Sequence, residues 1–279
     1  MNTFFLDRLN SEPHALAFAG QSTPWPVTLA DQSANPVLDE ALHTHADAAQ
    51  ALLYPVSADL LATTGRPVDL FGFEPNPARL GAAAAASASV PGIALAQLGA
   101  LLDAASLGYN PAVAKPVAVL GHSQGVLAVH MVQAIVEAGS IEAASAQIDE
   151  ILAIATLIGV AGTRQARQLG LAARHGEATP MLSVKDITRA QVDALIKRVS
   201  GARGPIAVAV TNSATHYVLS GYPEDLAAFG VEVAKEHKHQ AKLREEKVRG
   251  GRVFEPVLEY LDVTLPFHSP LMADAVSQA

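Results

Sequence analysis

The sequence predicts an α/β chain interrupted by a second, smaller unit. Three observations carry this. An apolar run, Pro116–Leu120, ends in Gly121-His122-Ser123-Gln124-Gly125 and passes into helical apolar spacing from Val126 to Val136. Long helical patterns lie on both sides of that strand–turn–helix. Near Thr179 the pattern changes to short strands and helices in the order β-α-β-β-α-β, which is the ferredoxin-like arrangement.

Taken in order, Ala15–Ala19 reads as a short buried strand that runs into a turn at Gly20–Pro24. Leu38, Leu42, Ala46, Ala49 and Leu53 recur at helical spacing within a helix from about Asn35 to Thr64. A loop containing proline and glycine follows through Pro77. No charged residue occurs between Arg79 and Asp103, and that stretch predicts a buried helix from about Ile93 to Ala105. It is mostly Ala, Ser and Gly, with Pro91 and Gln97 inside it. Residues of those types gain too little on transfer to lipid for a membrane span. Val117–Leu120 is the strand before the elbow, and Ile148–Gln168 is again helical.

In the second unit, Met181–Val184, Ile206–Val210, Tyr217–Ser220 and Leu258–Leu265 are predicted strands, with a turn at Thr211–Ala214. A helix opening at Asp186 and another from Leu226 to about Glu236 lie between them. Lys235–Arg252 carries seven Lys/Arg and three Glu. Such a run reads first as a solvated helix end and loop, and second as a docking surface for an acidic partner or phosphates.

Composition narrows the function classes. The chain has 279 residues, half of them hydrophobic, with a formal net charge of -8. That suits one large domain, or a domain with an inserted subdomain, and argues against general nucleic-acid binding. The absence of cysteine excludes disulfides, thiolate catalysis and cysteine-ligated metals. The N-terminus has no basic n-region or long apolar h-region, so no secretory signal is expected and a cytoplasmic enzyme is compatible with the sequence.

The elbow places Ser123 at the tip of a sharp turn, with a helix N-terminus and backbone N–H groups beneath it. A serine so placed can act as a nucleophile. It needs a base, and His268, in Pro266-Phe267-His268-Ser269-Pro270, is the best placed of ten histidines. The fold must bring it to Ser123 across the intervening unit. His122 is expected to point away and serve packing. The pairs His43/His45 and His237/His239 lack a further ligand cluster, so no metal site is expected.

Four blocks in order resemble the acyltransferase family of malonyl/acetyl-CoA:acyl-carrier-protein transacylases. They are Phe18-Ala-Gly-Gln-Ser22, Gly121-His-Ser-Gln-Gly125, Thr211-Asn-Ser213 through Val218-Leu-Ser-Gly221, and Pro266-Phe-His-Ser-Pro-Leu-Met272. Within the family the chain is most similar to the acetyltransferase domain of bacterial and fungal type I fatty acid synthases. The resemblance implies an α/β-hydrolase-like large subdomain, residues 1–179 and 266–279, with residues 180–265 as the ferredoxin-like small subdomain. Family members continue well past the histidine motif, so the resemblance also implies that a chain ending at Ala279 is truncated in its C-terminal part.

The roles implied by the resemblance are specific. Ser123 attacks the acyl-CoA thioester, and His268 takes its proton and then helps activate the phosphopantetheine thiol of an acyl carrier protein. Backbone N–H groups of Gln21 and Gln124 form the oxyanion hole. Asn212 is carried over as a substrate-binding residue. The transfer is ping-pong, binds no cofactor of its own and needs no metal. Its partners are the carrier protein and the other domains of a synthase polypeptide. Malonyl-selective members carry an arginine that pairs bidentately with the free carboxylate. The matching position here is Ile158, and no Arg or Lys lies between Lys115 and Arg164. This points to a neutral acyl group, acetyl in the simplest case. Ala19, Ser22, Val126 and Ala214 depart from the family pattern, and they weaken the malonyl reading most. Two alternatives remain open at this point: an esterase or thioesterase sharing the elbow, and a non-catalytic carrier-docking or scaffold module.

Overall fold

The computed structural model describes residues 8–21, 24–64, 86–171, 178–199, 203–246 and 254–278. The loop through Pro77, Ser22 and the end of the basic run from Lys247 lie outside the described residues. The chain divides into two compact units, Met1–Arg164 and Gln165–Gln278.

The first unit is built on helices around two parallel strands. β1 (Ala15–Phe18) pairs with β2 (Ala118–Gly121), with Ala15 opposite Ala118 and Phe18 opposite Gly121. The connection between them carries α1 (Trp25–Ser33), α2 (Pro36–Thr64), α3 (Ala86–Ser106) and the single turn α4 (Pro111–Ala114). Beyond β2 follow α5 (Val126–Ala138) and α6 (Ser145–Gln168). The expectation of a buried β1 is corrected. Ala15 and Ala17 are exposed and Leu16 and Phe18 half-buried, and in β2 Leu120 is 60% exposed. The helices bury one another instead. Leu38, Leu42, Ala46 and Ala49 of α2 are all core residues, as their spacing predicts. Ile93, Leu95 and Leu98 of α3, Met131 and Ile135 of α5 and Ile148 of α6 are almost fully buried. Each such side chain contributes about 1.5–3 kcal/mol by leaving water.

α3 begins seven residues before the predicted start and holds Pro91 inside it. Pro91 stands in the second turn, where it removes only one backbone donor. Ser87 N, near the helix start and without a partner in its own helix, is met by Thr163 Oγ1 of α6 at 2.9 Å. α3 and α6 are both long and apolar enough to cross a membrane, but 72% of the apolar window of α3 is buried in the protein. α6 approaches α3 so closely at Gly159 that a Cβ there would collide with Ala86 O and lie 3.1 Å from Ser87 Cα. Away from this crossing, α2 and α6 are joined by His45 Nδ1 and Asp149 Oδ1, 2.6 Å apart and mostly buried.

The second unit is an antiparallel sheet with helices on one face. β3 (Met181–Lys185), α7 (Arg189–Ile196), β4 (Ala207–Ser213), β5 (His216–Ser220), α8 (Pro223–Glu245) and β6 (Val257–Tyr260) follow the predicted β-α-β-β-α-β order. The sheet order is β4-β5-β3-β6, with all neighbours antiparallel. Strand alternation puts Leu182, Val184, Tyr217 and Leu219 against Val192 and Leu195 of α7 and Leu226, Phe229 and Val233 of α8. The opposite face carries Met181, Val218 and Val263.

Four local expectations are revised here. α7 starts after Thr188, whose hydroxyl and Gln191 form a capping box, while Asp186 sits in the preceding turn at φ 60°. Thr211–Ser213 belong to β4, through a register shift, and the turn is Ala214–Thr215. α8 continues to Glu245. β6 ends at Tyr260, and Leu265 is buried from an irregular segment. The βαββαβ elements fall within residues 180–265, and the compact unit reaches further on both sides. Gln165 Nε2 donates to Leu271 O at 2.9 Å, tying the end of α6 to the segment around Pro270.

Candidate active site

Ser123 sits where the sequence puts it, at the junction of β2 and α5. Residues Ser123–Gly125 form one 3₁₀ turn that leads directly into α5. Ser123 has φ 52°, and its side chain is half-buried. A left-handed backbone at a non-glycine residue costs on the order of 1–2 kcal/mol, so it persists only where its surroundings enforce it. Those surroundings are backbone. His122 N donates to Phe18 O at 2.9 Å, and Gly125 N donates to His122 O at 2.9 Å. A Cβ at Gly121 would lie 2.5 Å from Gly125 O, and one at Gly20 would lie 2.5 Å from His122 O. A Cβ at Gly125 would collide with Phe18 O and lie 2.9 Å from Ala19 O. We therefore expect Gly125→Ala to lower stability by about 1–3 kcal/mol, the range for forced overpacking, as read by urea denaturation.

Gln21 and Gln124 stand beside the elbow, and their side chains meet. Gln21 Nε2 donates to Gln124 Oε1 in a short hydrogen bond. Gln124 Nε2 donates to Val90 O at 2.5 Å, and Ser89 Oγ donates to Gln21 Oε1 at 3.3 Å. Gln97 Nε2 donates to Ala19 O at 2.7 Å. Ser89 and Gln97 are buried polar residues of α3; Gln97 is visible in the sequence as a polar interruption, but neither residue is given a role there. The available signal was polarity itself, two hydrogen-bonding side chains in an uncharged apolar helix. His122 is exposed rather than packed. Ile158 lies half-buried on α6, next to Gly159 at the α3 crossing.

His268 and Asn212 belong to the second unit. His268 also has a left-handed backbone, φ 56°, in a turn closed by Ser269 Oγ donating to Pro266 O at 2.6 Å. Its side chain is exposed. Among the described residues four non-glycine positions have positive φ, and both predicted catalytic residues are in that set. Asn212 is exposed on β4, and its Nδ2 lies 3.4 Å from His216 Nε2, which also lies 3.1 Å from Ser183 Oγ. No group of three metal-binding side chains occurs among the described residues. His45 is instead paired with Asp149, and His237 Nδ1 lies 2.5 Å from Phe254 O.

Known proteins with similar features fall in one group. Residues 180–260 match the family model described as the fatty acid synthase central AT domain. The chain is 27% identical over 164 residues to the fatty acid synthase beta subunit hexB of Dothistroma septosporum, covering 54% of this chain and 8% of that protein. Its fold is similar to the malonyl CoA-acyl carrier protein transacylase of Coxiella burnetii, with TM-score 0.58 and 18% identity over 96% of this chain and 66% of that one. A malonyl-transacylase solved in complex with a type II PKS acyl-carrier protein is similar at TM-score 0.55 and 18% identity, over 96% of this chain and 68% of that one. This chain thus spans a small part of the synthase subunit and about two thirds of the transacylases. Sequence over residues 180–260 is thus similar to the acyltransferase of fatty acid synthases, and the fold over nearly the whole chain is similar to that of the acyl-carrier-protein transacylases.

Proposed function

We propose that the chain transfers an acyl group from CoA to the phosphopantetheine thiol of an acyl carrier protein through an acyl-Ser123 ester. The observation that carries this is the left-handed Ser123 at the head of α5, enforced by backbone contacts with Phe18, Ala19 and Gly20. The close approach of Gly20 to Ser123 and to Gln124 N supports the backbone N–H groups of Gln124 and Gln21 as the oxyanion donors. In the first half-reaction His268 takes the Ser123 proton as the serine oxygen adds to the thioester carbonyl, and returns it to the departing coenzyme thiolate. In the second, the carrier thiol gives its proton to the neutral His268 and displaces the serine oxygen, which takes that proton back. CoA and phosphopantetheine enter as substrate and as the partner's own group, and no metal takes part. The transacylase solved with its carrier protein supports a carrier protein as the acceptor, and the similarity to a synthase beta subunit supports a setting among other synthase domains.

For the acyl group we favour acetyl. Ile158 offers no charge, and no Lys or Arg occurs between Lys115 and Arg164. A malonyl carboxylate buried without a cation costs several kcal/mol. Acetyl-CoA should label Ser123 faster than malonyl-CoA by about 100-fold, the ratio that roughly 3 kcal/mol gives. Ile158→Arg should narrow that gap. Intact mass spectrometry of the protein after timed exposure to each thioester reads both results, and faster malonyl labelling of the wild type would reject the acetyl reading.

A further inference from the structure

The polar side chains around the elbow form a directed circuit. The Ser89 hydroxyl donates to Gln21 Oε1, Gln21 Nε2 donates to Gln124 Oε1, and Gln124 Nε2 donates to Val90 O. The circuit leaves α3 at one residue and returns to it at the next. Each carboxamide accepts at one end and donates at the other, so each bond polarises the following one. A fourth contact, from Gln97 Nε2 to Ala19 O, fixes the chain two residues before Gln21. Ser89 and Gln97 are buried, and Gln21 and Gln124 are half-buried. Two places on one helix, about two turns apart, thus hold two segments that are far apart in sequence.

We infer that this circuit is a positioning device for acyl transfer, in which the carboxamides of Gln21 and Gln124, braced by Ser89 and Val90 of α3, hold the two backbone oxyanion donors at a fixed separation. The inference rests on the acyl-transfer reading and adds a role to side chains that the reading leaves idle. An oxyanion hole stabilises charge only if its donors are already aimed when the charge appears. One donor, on Gln124, is fixed by the elbow. The other, on Gln21, lies on a loop beyond the end of β1, which no third strand supports among the described residues. The circuit supplies that support from α3. Gln124 and Gln21 are positioning residues in this role, because their side chains act through the backbone N–H groups.

The test uses the full chain and single-turnover acylation of Ser123 by acetyl-CoA. Gln124→Leu keeps the backbone donor and the approximate volume but breaks two bonds of the circuit. It should lower the maximal acylation rate about 10- to 100-fold, the scale of a misplaced reacting group. The half-saturating acetyl-CoA concentration should stay within about twofold, because an oxyanion contact is called on in the transition state. Gln124→Glu can still accept from Gln21 but donates to Val90 O only when protonated. Its rate, divided by that of the wild type at the same pH, should therefore rise as pH falls into the carboxyl range. Ser89→Ala should give a smaller loss of the same kind and serves if Gln124→Leu does not fold. An unchanged maximal rate in all three, or a loss confined to the half-saturating concentration, overturns the inference while leaving acyl transfer intact. A wild-type protein that never acylates Ser123 overturns the reading beneath it as well.

Discussion

Ser123→Ala should abolish the proposed covalent acyl adduct, with carrier-thiol acylation falling on the order of 10⁶-fold, the scale of losing a serine nucleophile in a serine hydrolase. Incubation with radiolabelled acetyl-CoA followed by denaturing electrophoresis should show a labelled band for the wild type and none for the variant. The substitution removes one oxygen from a half-buried position and keeps a Cβ, so the melting temperature should move little. Gly tolerates a left-handed conformation better than Ala, so Ser123→Gly should be the more stable of the two inactive proteins. A labelled band persisting in Ser123→Ala would move the nucleophile elsewhere and remove the basis for the whole scheme.

His268→Ala is the second large effect. General-base catalysis contributes about 10²- to 10⁴-fold, and both half-reactions need it, so acylation of Ser123 and release of the acyl group to the carrier thiol should slow together. The double variant Ser123→Ala/His268→Ala should be no worse than Ser123→Ala alone, because residues that act as one unit are strongly non-additive. Single-turnover rates for the two halves, measured separately, decide this. If His268→Ala slows neither half, then its left-handed backbone serves the local turn closed by Ser269 and Pro266, and another base must be sought.

The parts of this protein that are legible in its sequence are those fixed by short-range chemistry. The elbow was legible because two glycines, a strand and a helix must coincide to make it, and they do so within Pro116–Val136. The βαββαβ order was legible because the strands alternate and the connections are short. Element ends were less so. The capping box at Thr188 competes with the acidic Asp186 just before it, and only the observed hydrogen bonds show which begins the helix. The start of α3 was hidden because Pro91 and Gly92 argue for a break, whereas burial of this segment, with Gly92 against Trp25, outweighs the loss of one hydrogen bond. The side-chain circuit was not legible at all. It joins residues 21, 89 and 124, and no local pattern marks a contact of that sequence separation.

The crossing of α3 and α6 has a consequence for how this site can change. At Gly159 the two helices meet backbone to backbone, and Thr163 Oγ1 accepts from Ser87 N while donating to Gly159 O at 2.9 Å. Main-chain atoms are the same whatever the side chain, so the axis of α6 is held by contacts that do not depend on residue 158. If the acyl group meets residue 158 as proposed, exchange of Ile158 for a smaller, larger or charged residue alters what that group meets without shifting the helix that presents it. On that reading selectivity is a replaceable part on a fixed mount, and a change of substrate can come from one codon while the nucleophile and its supports stay where they are.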